Sequence, residues 1–226
     1  MTNRNAAELL YDNPLACLDD VEHFVLEGHA EISFPNGRMR MKNLRDPSDG
    51  QAANFVYWLN RDFPTDIAIS WDFWPIREPG LCMVLFAAAG RNGEDLFDPG
   101  LNVRTGEYRQ YHHGDINALH LSYFRRKQPD EKLLHTCNLR KSYGFHLVAQ
   151  GPDPIPGVGD AVGPYHIELV KCGGQVRFSV NDLAILNWTD DGETYGPMAG
   201  AGKIGLRQMA PLIAEYANLK VHAVVS

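Results

Sequence analysis

DIAISWDFW, residues 66–74, places Ile67, Ile69, Trp71 and Phe73 on one side and Ala68, Ser70, Asp72 and Trp74 on the other. A period of two belongs to a β-strand with one buried face. Working outward, comparable runs fall at 30–34, 38–42, 55–59, 81–88, 118–126, 145–149, 166–171, 176–180, 184–188, 203–208 and 217–221. Turn signals stand between them, among them Pro35-Asn36-Gly37, Cys172-Gly173-Gly174 and Asn181-Asp182. About a dozen short strands at such spacing predict an all-β sandwich or barrel rather than an α/β sheet. Only residues 8–11 and 15–22 carry the character of a helical turn, and they precede the strands.

A chain of 226 residues buries a core without staples, and 44% hydrophobic with 22% charged residues is an ordinary globular composition. The one candidate boundary is GPDPIPGVGDAVGP, residues 151–164. The chain beyond residue 164 is too short to bury a core of its own, so this segment reads as a surface loop. Residues 1–226 are therefore expected to form a single domain, with a polar extension over 1–12. The net charge of −7 argues against a protein whose main task is gripping nucleic acid. No stretch approaches the ~20 apolar residues that span a bilayer, which predicts no membrane partner. The N-terminus has no charged region followed by an apolar one. Cys17, Cys82, Cys137 and Cys172 form no CxxC pair, and three sit in apolar runs, so buried free thiols are expected. These features together predict a cytoplasmic protein; a homo-oligomer is compatible with them.

The tail has a more specific pattern. YHIELVKCGGQVRFSVNDLAILNW, residues 165–188, reads as three strands joined by two tight turns, followed by GKIGL at 202–206. Such a meander resembles those of laminin-G-like and concanavalin A-like domains. With GLCMVLFAAAGRNGEDLFDP (80–99), YHHGDINALHLSYFRRK (111–127), TCNLRKSYGFHL (136–147), DDGETYGP (190–197) and GKIGLRQMAP (202–211), the chain resembles the YesU family of bacterial proteins from about residue 13 to residue 221. That family is a domain of unknown function in the concanavalin A-like lectin/glucanase superfamily. The resemblance implies a jelly-roll β-sandwich of two antiparallel sheets and a link to the breakdown of acidic polysaccharides. It supplies no catalytic residues. It also raises a structural Ca²⁺, for which the acidic stretches at 190–193 and 94–98 are candidates. Neither has EF-hand spacing, so solvated turns without a cofactor are the expectation.

Five of the nine histidines lie between His112 and His146, and eight of the 21 Lys/Arg between Arg104 and Lys141. Strand parity turns Leu119, Leu121, Cys137, Leu139, Phe145 and Leu147 inward. It then gathers His120, Arg126, Asn138, Arg140 and His146 on one opposite face. A solvated sheet face is usually Thr, Lys and Glu; imidazole, guanidinium and amide without carboxylate suit a sugar acid instead. The plainer alternative is a polar surface whose arginines pair with acids such as Asp72 or Glu94. The His-rich stretch before residue 117 contributes Tyr111, His113, Asp115 and Asn117, either as mounted functional groups or as a turn in which Asp115 and Asn117 cap the backbone. Arg207 is expected to share the cleft, and Trp74, on the polar side of its strand, to be a sugar-stacking platform.

Hydrolysis by two carboxylates spanning a glycosidic bond, ~5–5.5 Å apart in retaining enzymes, finds no matching run of acids. The retaining glucanases of this superfamily carry Glu-x-Asp-x-(x)-Glu, which is missing. β-Elimination from a uronate fits better, because it needs a neutraliser for the carboxylate, a base, and an acid for the leaving oxygen. Arg126 or Arg140 with Asn138 would supply the first, His113 or His120 the second, and Tyr123 or Tyr195 the third. The leading expectation is thus a lyase or dehydratase acting on an acidic oligosaccharide. A non-catalytic lectin-like module and a hydrolase with an unusual acid/base pair are the alternatives.

Overall fold

The computed structural model describes residues 8–224. Its fifteen strands begin with β1 (Leu9–Asn13), β2 (Phe24–Glu27), β3 (Ala30–Ser33), β4 (Met39–Asn43), β5 (Phe55–Phe63), β6 (Ile67–Arg77), β7 (Gly80–Gly90) and β8 (Ile116–Arg126). They continue with β9 (Thr136–Lys141), β10 (His146–Pro152), β11 (Tyr165–Cys172), β12 (Gln175–Val180), β13 (Leu183–Thr189), β14 (Gly202–Met209) and β15 (Ile213–Ala223). All pairings between these strands are antiparallel. One sheet runs β13-β12-β11-β6-β15-β4-β3 with β1 beside β15, and the other runs β10-β9-β8-β7-β14-β5-β2. A single α-helical turn among the described residues, α1 (Arg109–His112), interrupts the connection between β7 and β8. Among the described residues no helix is long and apolar enough to cross a membrane.

The alternation in β6 is realised: Ile67, Ile69, Trp71 and Phe73 are buried. They meet Phe55, Tyr57, Val84, Phe86, Leu119, Leu121, Cys137, Leu139 and Leu206 from the other sheet in one cluster that reaches from Leu15 to Val221. The tight turns also arise from their residues. Asn181 and Asp182 both take left-handed φ (48° and 62°) between Val180 and Leu183, the arrangement a two-residue hairpin needs. Cys82 and Cys137 are buried, Cys172 is half-buried and Cys17 is exposed; all four are free thiols.

Two expectations near the N-terminus change. Residues 9–13 form a strand, not a helical turn: a bulge in β15 between Ala217 and Lys220, with Asn218 at φ 55°, ends its pairing with β4, and β1 takes the vacated edge (Asn13 opposite Leu219). Part of the polar extension is thereby structural; residues 1–7 lie outside the described residues. Within residues 15–22 only Asp19–Val21 is helical, a single 3₁₀ turn.

The middle of the seven-stranded sheet is buried on both faces. Its outer side carries Val56, Trp58, Met83, Leu85 and Ala118, and the connection from 91 to 115 lays Leu96 and Tyr111 over them. The connection is pinched at its base, where the Arg91 N–H donates to the Asp115 carbonyl at 3.0 Å. A buried polar pin holds its middle. Glu27 accepts from the Trp58 indole (2.8 Å), the Tyr111 hydroxyl (2.8 Å) and Arg104 Nε (2.9 Å).

Candidate functional site

The expected polar face forms in part. His120 stands directly opposite Arg140 and Ser122 opposite Asn138, so these side chains share the outer face of the seven-stranded sheet. Arg207 lies on the same face, opposite Met83, which in turn faces Ser122. Other residues depart from it. Phe124 takes a left-handed φ of 47°, and this kink turns it into the core beside Tyr123, which strand parity already places inward with Leu119 and Leu121. Tyr123 packs on Phe73 (5.2 Å between ring centroids), its hydroxyl accepts from the Trp71 indole at 3.3 Å, and it is out of a substrate's reach. Arg126, past the kink and at the far end of β8, is buried on Asp153 at 2.9 Å and holds the backbone of Ile155. His146 pairs with Lys141, and Leu147 takes the place opposite Arg140, because β10 carries a register shift before Ala149. Phe145 and Leu147, expected inward, are therefore exposed. Trp74 lies on the other sheet, with the Arg38 guanidinium 4.3 Å over its ring, and so stands apart from this face.

His120 and Arg207 are on the predicted face but sealed by the covering segment. The Tyr108 ring sits 5.6 Å from the His120 ring and 4.7 Å from the Arg207 guanidinium carbon. Burial pushes His120 down to about 3, helped by the nearby His112 and arginines, so it is neutral and removed from solvent. That geometry withdraws it as an accessible base. Arg140 and Asn138 stay half-exposed: the first stacks 3.8 Å over Phe145, the second accepts from Gln150 at 2.6 Å. The acids considered as partners are engaged elsewhere. Asp72 binds His166 and Asn218, and Glu94 accepts from the Asn92 backbone and side chain. Within the stretch before β8, Asp115 accepts twice from Asn102 (2.6 and 2.9 Å), the capping alternative, and Tyr111 belongs to the Glu27 pin.

A cleft of about 850 Å³ lies at one end of the sandwich. Its walls are the end of β7 with Arg91 and Asn92, the start of β8 with Asn117, the β9–β10 turn with Tyr143 and His146, and the 194–201 loop with Tyr195. Arg91 lies 4.0 Å over the Tyr143 ring, a stack that leaves its N–H edges free for a ligand. In the same cleft the His146 and Tyr195 rings stack at 4.7 Å and 30°. His113 packs 5.5 Å from Tyr143, just behind this wall. Among its lining residues there is no aspartate or glutamate. Lys141 lines it too, but its ammonium is committed to Asp190 (2.7 and 2.8 Å) and to the Gly196 carbonyl (2.8 Å), which pins the 194–201 loop. Thus Asn117, His146 and Tyr195 of the expected set line one cleft with His113 packed on its Tyr143, whereas Arg140, Asn138, His120 and Arg207 form a separate group on the outer face of the sheet. Arg91 and Tyr143 were missed; an Arg-Asn-Gly closing a long apolar strand and a Tyr-Gly turn were the available signals. The other sheet carries a smaller depression of about 480 Å³ along β11–β13, with none of the expected site residues.

The cleft offers groups suited to binding and groups of the kind that transfer protons. Arg91 and Asn117 offer donors or an amide dipole to a carboxylate or hydroxyl, two tyrosines offer sugar-sized faces, and the imidazole–phenol pair is a proton-transfer couple. Among the described residues, no group of three or more His, Cys, Asp or Glu is placed to hold a metal ion.

Two antiparallel sheets with these crossings define a jelly-roll protein of the galectin-like and concanavalin A-like kind. The crystal structure of a Bacillus subtilis protein of unknown function with a galectin-like fold superimposes with a TM-score of 0.92 at 53% identity, covering 96% of this chain and 97% of that one. The carbohydrate-binding module CBM66 from Bacillus subtilis (TM-score 0.54, 11% identity, covering 89% and 96%) and the carbohydrate recognition domain of Emp46p (TM-score 0.62, 12% identity, covering 95% and 98%) share the fold alone. The chain belongs to the family described as Domain of unknown function (DUF1961), whose model matches residues 8–221. It is 54% identical to the protein YesU of Bacillus subtilis (strain 168) over 216 residues, 96% of each chain.

Proposed function

We propose that this protein binds an acidic oligosaccharide in the end cleft, with Arg91 and Asn117 receiving the carboxylate and Tyr143 and Tyr195 lining the sugar faces. The observation that carries the reading is a cleft of about 850 Å³ with a stacked, unpaired guanidinium and no lining carboxylate. A neutral sugar would not need that bias, and an anionic one would be repelled by acids that are not there. The fold neighbours that are named as carbohydrate-binding domains support a sugar as the ligand class. Calorimetric titration with oligogalacturonate and with a neutral galactan of the same length tests it. Arg91→Ala should weaken the acidic ligand by about tenfold or more and the neutral one little, since a charge-assisted bidentate contact contributes a few kcal/mol. Equal loss for both ligands refutes the role of charge.

A second reading has its own observation: the stacked His146 and Tyr195 line the same cleft as Arg91 and Asn117, and an imidazole and a phenol are the kinds of group that serve as base and acid in β-elimination or dehydration. Tyr195→Phe should then retain binding and abolish the ultraviolet absorbance of a new carbon–carbon double bond, or the loss of water seen by mass. Wild-type protein that binds without either change is a lectin-like binder.

A further inference from the structure

Among the described residues, Arg207 is a buried guanidinium without a counter-ion. It is 1% exposed, and burial lowers its affinity for its proton. Buried Arg104 and Arg126 each hold a carboxylate, the first on Glu27 at 2.8 Å and the second on Asp153 at 2.9 Å. Arg207 instead reaches two neutral oxygens through Nη2, that of the Gln51 side chain at 3.2 Å and the Gly106 carbonyl at 3.4 Å. Its Nε is buried with no partner, as is the hydroxyl of Tyr108, whose ring covers the guanidinium. A buried charge left without an ionic partner is strongly destabilising, so a fold that keeps one points to a ligand that supplies the missing charge.

The place for that charge is marked by Gln51. Its side-chain oxygen accepts from three separate donors: Arg207 Nη2, Asn54 Nδ2 at 3.1 Å and the Tyr108 backbone N–H at 3.4 Å. Asn54 is buried, and its other amide atom is fixed by the Ala210 N–H at 2.9 Å, which aims its donor at this point. Gln51 itself is exposed, on the 3₁₀ segment Pro47–Ala53. A neutral surface side chain therefore occupies a convergence of one cationic and two neutral donors.

We propose that this convergence is an anion site, in which a ligand carboxylate displaces the Gln51 side chain and binds Arg207, Asn54 and the Tyr108 N–H. The carboxylate is carried either by a sugar acid or by a free small acid. The site lies on the outer face of the seven-stranded sheet, apart from the end cleft, so neither reading requires the other. Both informative substitutions fall on an exposed residue and leave the core intact. Gln51→Glu places a tethered carboxylate in the site. It should raise the melting temperature by a few degrees without ligand and remove any further stabilisation by carboxylates. Gln51→Ala empties the site and should bind sodium galacturonate about tenfold more tightly than the wild type, because no resident oxygen has to be displaced. Titrations at constant ionic strength, read by melting temperature and by the Arg207 Nε–H and Asn54 amide resonances, compare galacturonate, acetate and galactose. Galacturonate acting at far lower concentration than acetate assigns the site to a sugar acid, and equal action assigns it to free carboxylates; both outcomes support the site. Galactose matching galacturonate, unmoved Arg207 and Asn54 resonances, or a Gln51→Glu variant no more stable than the wild type overturns it.

Discussion

The Lys141–Asp190 pair offers the sharpest test of how the end cleft is built. Both side chains are nearly sealed, at 3% and 4% exposure. The ammonium makes three short contacts, two to the carboxylate and one to the Gly196 carbonyl, while Asp190 also accepts the Gly192 N–H at 3.1 Å. Lys141→Met leaves the carboxylate buried without its cation and should cost roughly 3–5 kcal/mol; Asp190→Leu should cost a similar amount by stranding the ammonium. Lys141→Met/Asp190→Leu removes both charges and should cost only about 1–2 kcal/mol, the worth of the lost contacts to Gly192 and Gly196. Urea denaturation of the four proteins, with a common m-value, gives the coupling energy directly. Because the Gly196 contact holds the loop that carries Tyr195, Lys141→Met should also bind oligogalacturonate more weakly while still folded. Single substitutions costing under about 1 kcal/mol, as exposed pairs do, would refute the reasoning.

Acid should loosen the covering segment. Burial holds His120 down at about 3 and His112 at about 4, below the 6.5 of an unfolded chain. The unfolded state therefore takes up protons first, and stability should fall as pH drops from about 6.5 toward 4. His120→Gln should flatten that decline in denaturation curves; an unchanged pH profile counts against it. Glu27→Ala strands Arg104 and frees the Tyr111 hydroxyl and the Trp58 indole, at a cost of roughly 3–5 kcal/mol. Hydrogen exchange over residues 91–115 should accelerate well before the rest of the sheet, and uniform protection across that segment would show the pin to be dispensable.

The sandwich was legible because its evidence is periodic and local. Ile67, Ile69, Trp71 and Phe73 declare a half-buried strand wherever they occur, and Asn181-Asp182 a hairpin. The face of the candidate site was legible only as far as parity held. His120, Asn138 and Arg140 do share a surface, since β8 and β9 pair without interruption between them. One left-handed residue, Phe124, sends its own side chain and Arg126 elsewhere, and one register shift in β10 turns His146 away; nothing in the apolar pattern marks either. β1 was unreadable for a different reason, because its strand character depends on an edge of β15 more than 200 residues later. That the 91–115 segment would cover His120 is a tertiary fact as well, although its Leu96, Tyr108 and Tyr111 are the apolar groups that do it.

This covering also explains where the cleft is. The outer face of the seven-stranded sheet carries Val56, Trp58, Met83 and Leu85 at its centre, an apolar patch that would invite aggregation if left bare. Closing it with a connection of the same chain removes that hazard and also covers the middle of the sheet. Both ends of the connection must return to the point where β7 and β8 meet, at the Arg91–Asp115 hydrogen bond. There they lie beside the β9–β10 turn, to which the Gly144 N–H ties the His112 carbonyl at 2.7 Å. Arg91, Asn117, Tyr143 and His146 are thus brought to one rim by the same contacts that seal the sheet. Site residues then come from strand ends and turns held by a rigid platform, and the loop carrying Tyr195 completes the wall by a buried ion pair rather than by packing alone. The groups proposed to bind a ligand at the mouth of this sandwich are placed by the way its apolar face is buried.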